Sequence, residues 1–517
     1  MSKNIVLFSD GTGNSNIKNR GTNVFKLYEA LDFNDLHGSK KEQVAFYDDG
    51  VGTEQFKPLK ILGGAFGWGL ARNVKSLYKR LVQVYKPGDK IYLFGFSRGA
   101  FTVRSLAGLI ASEGILDIAR YPTDEDLNLA VLRLYEGYRA RYPALLESVY
   151  YEPLMELYFK ARGNGSHVAH GDQSKKIEFI GVWDTVDAVG LPFDGFTKAW
   201  NEVIFRFKFS NQKLHPNVKQ ACQALSIDDE RQSFQPILWD ETEENPENKR
   251  IEQVWFPGVH ANVGGGYPQQ GLSLVSLDWM IKRATAAGLQ FIPHEEMRVH
   301  DQKYAFDKLY DSRSGLGSYY RYRPRNIAKL CRDNGIETPQ IHVSVFRRIV
   351  GGIFGYAPGN LPDNFRVVDD GSIAPGASSL INVDHPKSLQ ILNLISPNPA
   401  EDMSPLLLQE DKVKRYIRLR RSIYHAFVAY SVFTLYWLLQ DDIEGKGFWG
   451  GLATSVKMLV TPDTLLEKIG LLLWSNFGLM LIGILILGAS VYVRAAMKKA
   501  FSMFWSPLRR RIKDHLA

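Results

Sequence analysis

Residues 87–110 read PGDKIYLFGFSRGAFTVRSLAGLI, and this stretch of the sequence decides the fold. Lys90–Phe94 is a short apolar run after a Pro-Gly-Asp turn signal, which is typical of a buried strand. Apolar residues recur every three or four positions over Ala100–Ala111, which predicts a helix with one buried face. Ser97 stands between the two elements, in the pattern Gly-Phe-Ser-Arg-Gly. A serine on a tight strand-to-helix turn with glycines beside it is typical of the nucleophile elbow of α/β-hydrolases.

The pattern Gly-x-Ser-x-Gly is weak evidence by itself, because it arises by chance in a chain with 45 glycines. A serine that precedes a helix also commonly serves as its N-cap. The strand before Ser97 and the helix after it favour the nucleophile, because a helix N-terminus stabilises negative charge that develops at the reacting oxygen. We therefore expect Ser97 to be the nucleophile of a hydrolase.

Strand-like and helix-like segments alternate on both sides of this turn. Short apolar runs predict further strands at Ile5–Phe8, Ile177–Trp183 and Ile251–Phe256. Helical spacing of apolar residues predicts further helices at Asn23–Leu31 and Gly69–Tyr85. The alternation predicts an α/β fold of the hydrolase-like kind, with a mostly parallel sheet that is covered by helices on both faces.

A nucleophilic serine requires a base, and the base requires an acid that orients it. In α/β-hydrolases the acid follows the serine in the chain. Asp184 directly follows the predicted strand Ile177–Trp183, and carboxylates at strand ends face the cleft where α/β sheets bind ligands. We expect Asp184 to be the acid, with Asp187 as the alternative three residues later.

The expected base is His260, in the sequence WFPGVHANVGGGY at residues 255–267. It follows a predicted strand and lies in a glycine-rich loop beyond the acid, where the histidine of such a triad belongs. The alternative is an ordinary surface histidine. His167 and His170 have a spacing that could suit a metal, but no third ligand cluster accompanies them, so neither a metal nor a cofactor is predicted.

The developing oxyanion needs preformed hydrogen-bond donors. One is expected to be the backbone N–H of Arg98, the residue after the nucleophile. The turn at residues 10–13, Asp-Gly-Thr-Gly, is the best placed source of a second donor, from Gly11 or Thr12. Asp10 is expected to hold that loop in place rather than to react.

The chain of 517 residues carries a formal net charge of +8. The basic excess is concentrated at residues 412–421 and 494–513, with six and seven basic residues, which flank apolar segments. This pattern indicates membrane topology and argues against nucleic-acid binding. Only two cysteines occur and no signal-peptide pattern opens the chain, which fits a reducing compartment.

Three regions are predicted along the chain. Residues 1–370 form the catalytic domain, whose last part, from 340, reads as irregular, and residues 371–411 form an irregular extension or linker. Residues 412–517 form a membrane anchor, with transmembrane helices near 423–439 and 470–493, because both segments are apolar and the second is uncharged throughout. The alternative is a pair of helices buried in a soluble core.

The predicted anchor is a two-helix hairpin in the cytoplasmic (inner) membrane. Both basic clusters adjoin the apolar segments on their outer sides, whereas residues 440–469 carry three lysines against five acids. Positively charged flanks stay in the cytoplasm. We therefore expect the catalytic domain and both termini to be cytoplasmic.

Several motifs, in order, resemble the catalytic domain of the type VI secretion phospholipase effectors (the Tle-like family). They are DGTGN (10–14), residues 87–110, VWDTVDAVG (182–190), ALSIDDER (224–231), VWFPGVHANVGGGY (254–267) and IHVSV (341–345). The resemblance spans roughly residues 3–370. It implies an α/β-hydrolase fold and cleavage of glycerophospholipid esters, with nucleophile, acid and base at Ser97, Asp184 and His260. Members often carry an acidic residue where Asn262 stands, so a helper charge beside His260 is expected to be missing here. Asn262 is expected to support the histidine loop.

The function expected from these features is a membrane-anchored serine hydrolase that cleaves (phospho)lipid esters through an acyl-enzyme. A phospholipase held against the membrane of its own cell is expected to be gated, by a regulatory or inhibitory protein partner, by assembly or by a covering loop. Such gating suggests a self-directed or defence toxin. The alternatives are an esterase or thioesterase with a non-lipid substrate, and a non-catalytic membrane scaffold that retains the fold.

Overall fold

The computed structural model describes residues 2–11, 21–35, 38, 42–49, 65–140, 176–187, 212–245, 249–352, 355–362, 365–369, 404–443 and 462–516. In this part of the chain eight strands form one sheet, and every strand pair in it is parallel. The strands are β1 (Asn4–Ser9), β2 (Gln43–Asp48), β3 (Lys90–Phe96), β4 (Ile177–Trp183), β5 (Val218–Ser226), β6 (Ile251–Phe256), β7 (Gln340–His342) and β8 (Arg366–Val368). Their spatial order is β2-β1-β3-β4-β5-β6-β7-β8.

Twelve helices accompany the sheet in the described residues. Within and beside the sheet domain they are α1 (Asn23–Glu29), α2 (Ala65–Val84), α3 (Arg98–Glu113), α4 (Asp124–Arg139), α5 (His260–Gly264), α6 (Gly271–Ala286), α7 (Pro293–Gln302), α8 (Ile327–Arg332) and α9 (Val343–Gly351). The C-terminal helices are α10 (Ser404–Ile443), α11 (Pro462–Ser475) and α12 (Phe477–Leu516). Short 3₁₀ helices lie at Ile118–Arg120, Gln232–Phe234 and Gly315–Tyr319.

The two faces of the sheet carry separate apolar cores, because successive side chains of a strand point to opposite faces. Along β1, Ile5 and Leu7 pack under α2, α3 and α4, whereas Val6 and Phe8 pack under α1 and α6. A third cluster surrounds Trp255 of β6, α9 and the β7–β8 end of the sheet. The predicted α/β architecture, with helices on both faces of a parallel sheet, is therefore confirmed.

The predicted strands match β1, β3, β4 and β6, and the predicted helices match α1, α2 and α3 within a few residues. The prediction of an irregular region from residue 340 was wrong, because β7, α9 and β8 lie within it. The prediction of a linker over 371–411 was wrong at its end, since α10 already begins at Ser404. Residues 371–403 lie outside the described residues.

The described residues contain one helical segment, Phe477–Met503, that is long and apolar enough to cross a membrane. This segment starts later than the predicted span 470–493, because the helix is interrupted at Asn476. The predicted first span, 423–439, lies within α10, a helix of 40 residues in which no described segment is apolar enough to cross a membrane by the same measure. The two-helix transmembrane hairpin therefore stays a prediction.

The C-terminal helices pack on the sheet domain as well as on each other. Tyr430 of α10 donates a hydrogen bond to the Leu479 carbonyl of α12, at 3.1 Å. Trp505 of α12 belongs to the third apolar cluster, and its Nε1 donates to the Pro358 carbonyl at 2.8 Å. Arg494 of α12 pairs with Asp311 at 2.6 Å. The C-terminal half of α12 is thus part of the packed structure.

Candidate active site

Ser97 occupies the turn between β3 and α3, with backbone angles of φ 59° and ψ −123°. An L-residue rarely adopts this conformation, and a nucleophile elbow has it. Both glycines of the pattern are sterically required. A Cβ on Gly95 would lie 2.5 Å from the Gly99 carbonyl oxygen, and a Cβ on Gly99 would lie 2.1 Å from that of Ser9. The tight turn from β3 into α3 therefore requires glycine at position 95, and the close approach of β1 to α3 requires it at position 99.

The structure brings Ser97, Asp184 and His260 into direct contact. His260 Nε2 lies 2.8 Å from Ser97 Oγ, and His260 Nδ1 lies 2.6 Å from Asp184 Oδ2. The three residues follow β3, β4 and β6, whose carboxyl ends lie at the same edge of the sheet. The carboxylate that meets the imidazole is that of Asp184 rather than Asp187. A serine, histidine and carboxylate in this order can transfer a proton from the hydroxyl to the imidazole.

Asp184 is fully buried, and the chain surrounds its carboxylate with donors that the sequence did not predict. The Ser226 N–H donates to Oδ1 at 2.9 Å and the Ser226 hydroxyl to Oδ2 at 3.1 Å. Arg325 donates to Oδ1 at 2.6 Å and to Oδ2 at 2.8 Å. Burial alone would raise the pKa of this carboxyl, but Arg325 and the hydrogen bond with His260 hold it well below its usual range.

His260 is held by aromatic rings and by a second carboxylate. The Phe96 ring lies 4.6 Å from the imidazole, and the Phe234 ring lies edge-on at 5.0 Å. The His260 backbone N–H donates to Asp229 at 3.1 Å, and Asp229 is paired with Arg231. Burial lowers the pKa of His260 below its usual value, although Asp184 opposes this effect. The imidazole is consequently neutral at pH 7, as a general base must be.

The predicted loop-support residues make the contacts of such a role. Asp10 accepts hydrogen bonds from the Thr22 hydroxyl, the Tyr47 hydroxyl at 2.5 Å and the Gly11 N–H at 2.6 Å. Asn262 donates to the Lys308 carbonyl at 3.1 Å and accepts from the Tyr310 N–H at 3.2 Å, so it ties the histidine loop to that segment.

The predicted oxyanion donors are placed differently from one another. Arg98 is the first residue of α3, so its backbone N–H points out of the helix end beside Ser97. The Gly11 N–H is directed at the carboxylate of Asp10. Thr12 lies outside the described residues.

The two histidines whose spacing could suit a metal, His167 and His170, also lie outside the described residues. Among the described residues no group of His, Cys, Asp and Glu is arranged to hold a metal ion.

Arg325, Ser226 and Asp229 are the contacts that sequence reasoning missed. Ser226 and Asp229 lie within the motif ALSIDDER (224–231), which was singled out without a role for its members. Arg325 lies outside every motif and reaches Asp184 across 141 positions of the chain. No local pattern signals a contact over that separation.

Comparisons with known proteins extend this description. A family described as "T6SS, Phospholipase effector Tle1-like, catalytic domain" matches residues 3–283. The "Uncharacterized protein YEL023C" of Saccharomyces cerevisiae is 31% identical over 202 residues, which are 37% of this chain and 27% of the yeast protein. The matched part is thus about a quarter of that relative.

Two solved structures are also similar. The crystal structure of an uncharacterized protein from Pseudomonas aeruginosa has a TM-score of 0.34 and 18% identity, covering 70% of this chain and 56% of that one. The structure of the Tle1 effector bound to the VgrG spike of the type 6 secretion system has a TM-score of 0.30 and 17% identity, covering 52% of each chain. At such scores neither likeness bears on function.

Proposed function

The chain belongs to the Tle1-like family of type VI secretion phospholipase effector catalytic domains, and on that premise we propose that it is a membrane-anchored serine hydrolase of (phospho)lipid esters. The observation that carries the proposal is the continuous contact from Asp184 through His260 to Ser97, at 2.6 and 2.8 Å. Membership of the family supports a lipid substrate, and the contact supports ester cleavage by a serine nucleophile.

In the proposed reaction, Ser97 Oγ attacks the ester carbonyl carbon while its proton passes to His260 Nε2. Asp184 holds the Nδ1–H of the imidazole and stabilises the imidazolium that forms. The proton then passes to the leaving alcohol oxygen as its bond to the acyl carbon breaks, which leaves Ser97 acylated. A water molecule repeats the sequence and releases the fatty acid. No cofactor is required for this chemistry.

The Arg98 N–H is the first proposed oxyanion donor, because it lies at the N-terminus of α3, next to the nucleophile. Gly11 or Thr12 is the proposed second donor. The Gly11 N–H donates to Asp10 in this structure. It can therefore bind the oxyanion only after the loop turns this amide toward the substrate. Asp10 and Asn262 are proposed to hold the loops and not to react.

The proposed location is the cytoplasmic membrane, with α10 and α12 as a two-helix anchor and the catalytic domain and both termini in the cytoplasm. The support is the apolar segment Phe477–Met503 and the basic clusters that flank the two apolar regions. Membrane lipids are the proposed substrate, and a regulatory or inhibitory protein is the proposed partner. An enzyme that faces the lipids of its own cell must be kept inactive by such a partner until its activity is needed. The same regulation is expected of a self-directed or defence toxin.

The test combines active-site labelling with lipid analysis of the full-length protein in membranes. Wild type should react with a fluorophosphonate probe and should release fatty acids or lysolipids that mass spectrometry detects. Ser97→Ala should lose both properties and remain folded, since a nucleophile is removed and no core volume is lost. Ser105→Ala, on the same helix, is the matched control and should keep them.

The outcomes separate the alternatives. Labelling without a change in lipids would indicate an esterase or thioesterase with another substrate. Absence of both labelling and turnover in the folded wild-type protein would favour a non-catalytic scaffold and overturn the proposal.

A further inference from the structure

The Asp184 carboxylate is bound by Arg325 and Ser226 as well as by His260. Its side chain is inaccessible to solvent, and Oδ2 is shared by His260 at 2.6 Å, Arg325 at 2.8 Å and the Ser226 hydroxyl at 3.1 Å. Arg325 is the permanent positive charge among these donors. A buried carboxylate requires such a counter-charge, because burial without one is costly.

Arg325 is itself fixed from several directions. Its side chain is fully buried, and it donates to the Ser226 carbonyl at 2.5 Å and to the Phe234 carbonyl at 2.6 Å, besides both oxygens of Asp184. Ser226 ends β5 next to Asp184, and Phe234 contacts the imidazole of His260. One guanidinium therefore joins the acid, the end of its neighbouring strand and the wall of the histidine pocket.

We propose that Arg325 is a positioning residue for the hydrolysis assigned above, which sets the plane of the Asp184 carboxylate and thereby the orientation of His260. This inference rests on the proposed function. A planar guanidinium that donates to both carboxylate oxygens fixes the carboxylate plane, which the point charge of a lysine cannot do. With that plane fixed, Oδ2 receives the Nδ1–H, and Nε2 faces the Ser97 hydroxyl.

Arg325 also affects the protonation of the site. The charged groups that face His260 are Asp184, Asp229, Arg231 and Arg325. Asp184 must be ionised and His260 must be neutral for the proposed reaction. Removal of the Arg325 charge lets the pKa of each group rise, because nearby positive charge disfavours both the protonated carboxyl and the imidazolium. Both effects move the acid limb of activity to higher pH.

The experiment uses full-length Arg325→Lys and Arg325→Gln in detergent micelles, with a water-soluble ester as substrate. The turnover rate should fall on the order of 100-fold in Arg325→Gln, the penalty of a misplaced catalytic group. The midpoint of its acid limb should rise by about one pH unit. Arg325→Lys should recover the pH midpoint more fully than the rate, because it restores the charge without the second donor.

Arg323→Gln is the matched control, an exposed arginine two positions away whose loss should change neither the rate nor the pH midpoint. Rates and pH midpoints equal to wild type in both Arg325 variants would overturn the proposal. Loss of folded protein in both variants, or a rate that falls only with the folded fraction, would make Arg325 a structural residue and would equally overturn it. An inactive wild type would instead refute the proposed function.

Discussion

Gly99 is the residue on which the turn at Ser97 depends most directly. Its Cα lies against the backbone of β1, so a methyl group there would meet the carbonyl oxygens of Ser9 and Asp10 at 2.1 and 2.5 Å. Gly99→Ala should lower the free energy of unfolding by about 3 kcal/mol, the upper range for an overpacked core. It should also abolish fluorophosphonate labelling, because α3 must move away from β1 and takes Ser97 with it.

Gly137→Ala is the matched control for this change. Gly137 lies in α4, and a Cβ there meets no atom within 4 Å. The control should leave labelling intact and raise stability by up to about 1 kcal/mol, because alanine is the better helix former. Thermal unfolding and fluorophosphonate labelling are measured for both variants. Equal stability and equal labelling of Gly99→Ala and Gly137→Ala would refute the steric argument.

At the scale of single residues, the sequence predicts those site residues that lie in a recognisable local pattern. Ser97 lies between glycines, Asp184 follows an apolar strand, and His260 lies in a glycine-rich loop, and all three meet in the structure. Arg325 lies in no such pattern, and Asp229 lies in the motif ALSIDDER (224–231), which does not by itself indicate a role for it. Their roles come from contacts between distant segments, and they become visible only when the sheet brings β4, β5 and the segment before α8 together.

At the scale of elements, α10 is joined to the segment that carries Asp229. Arg420 of α10 donates to both carboxylate oxygens of Glu230, at 2.9 and 3.0 Å, and stacks on the Tyr322 ring at 3.9 Å. Tyr322 in turn lies three residues before Arg325. The same short stretches of chain thus contact α10 on one side and the candidate active site on the other.

Arg420→Gln should therefore weaken the docking of α10. Loss of a half-buried, bidentate ion pair should lower the free energy of unfolding by about 1.5–3 kcal/mol and should make α10 more sensitive to limited proteolysis. Arg418→Gln is the control, because this substitution removes the same charge from the same helix at an exposed position. It should stay within about 0.5 kcal/mol of wild type. Equal proteolysis of the two variants would show that α10 does not depend on this contact.

The elements that the sequence missed have physical reasons for being missed. Strand β5 is buried in the sheet yet carries Gln223, whose amide is satisfied by the Ile237 carbonyl and by Gln253. A buried glutamine breaks the apolar run that predicts a strand. Strands β7 and β8 have three residues each, too few for any periodicity to show. Both are stabilised by sheet pairing and by α9, which the local sequence does not encode.

At the scale of the whole molecule, the C-terminal helices divide into a docked and an undocked part. Arg494, Met497 and Trp505 of α12 contact the sheet domain. The preceding part of α12 exposes its large apolar side chains instead, namely Leu481, Ile482, Ile484, Leu485, Leu487, Val491 and Tyr492. An exposed apolar surface of this kind marks a membrane or a partner. The change at Arg494 coincides with the start of the second basic cluster.

This division makes the topology testable. Because Arg494, Met497 and Trp505 contact the sheet domain, that domain and the C-terminal part of α12 must occupy the same side of any membrane that α12 crosses. Basic flanks remain in the cytoplasm, so the catalytic domain should be cytoplasmic, and the connection between the two apolar segments should be on the opposite side. Single cysteines at Gly450 and Ser506 probe these two locations.

The measurement uses a background without Cys222 and Cys331, both of which are buried, and a maleimide that does not cross membranes. Applied to intact cells, or to spheroplasts of a host with an outer membrane, the reagent should label position 450 and spare position 506. Permeabilised cells are the control, in which position 506, exposed in the structure, should also react. Labelling of 506 with protection of 450 in intact cells would place the catalytic domain outside. Protection of both positions until permeabilisation would mean that the apolar segments do not form a hairpin across the membrane.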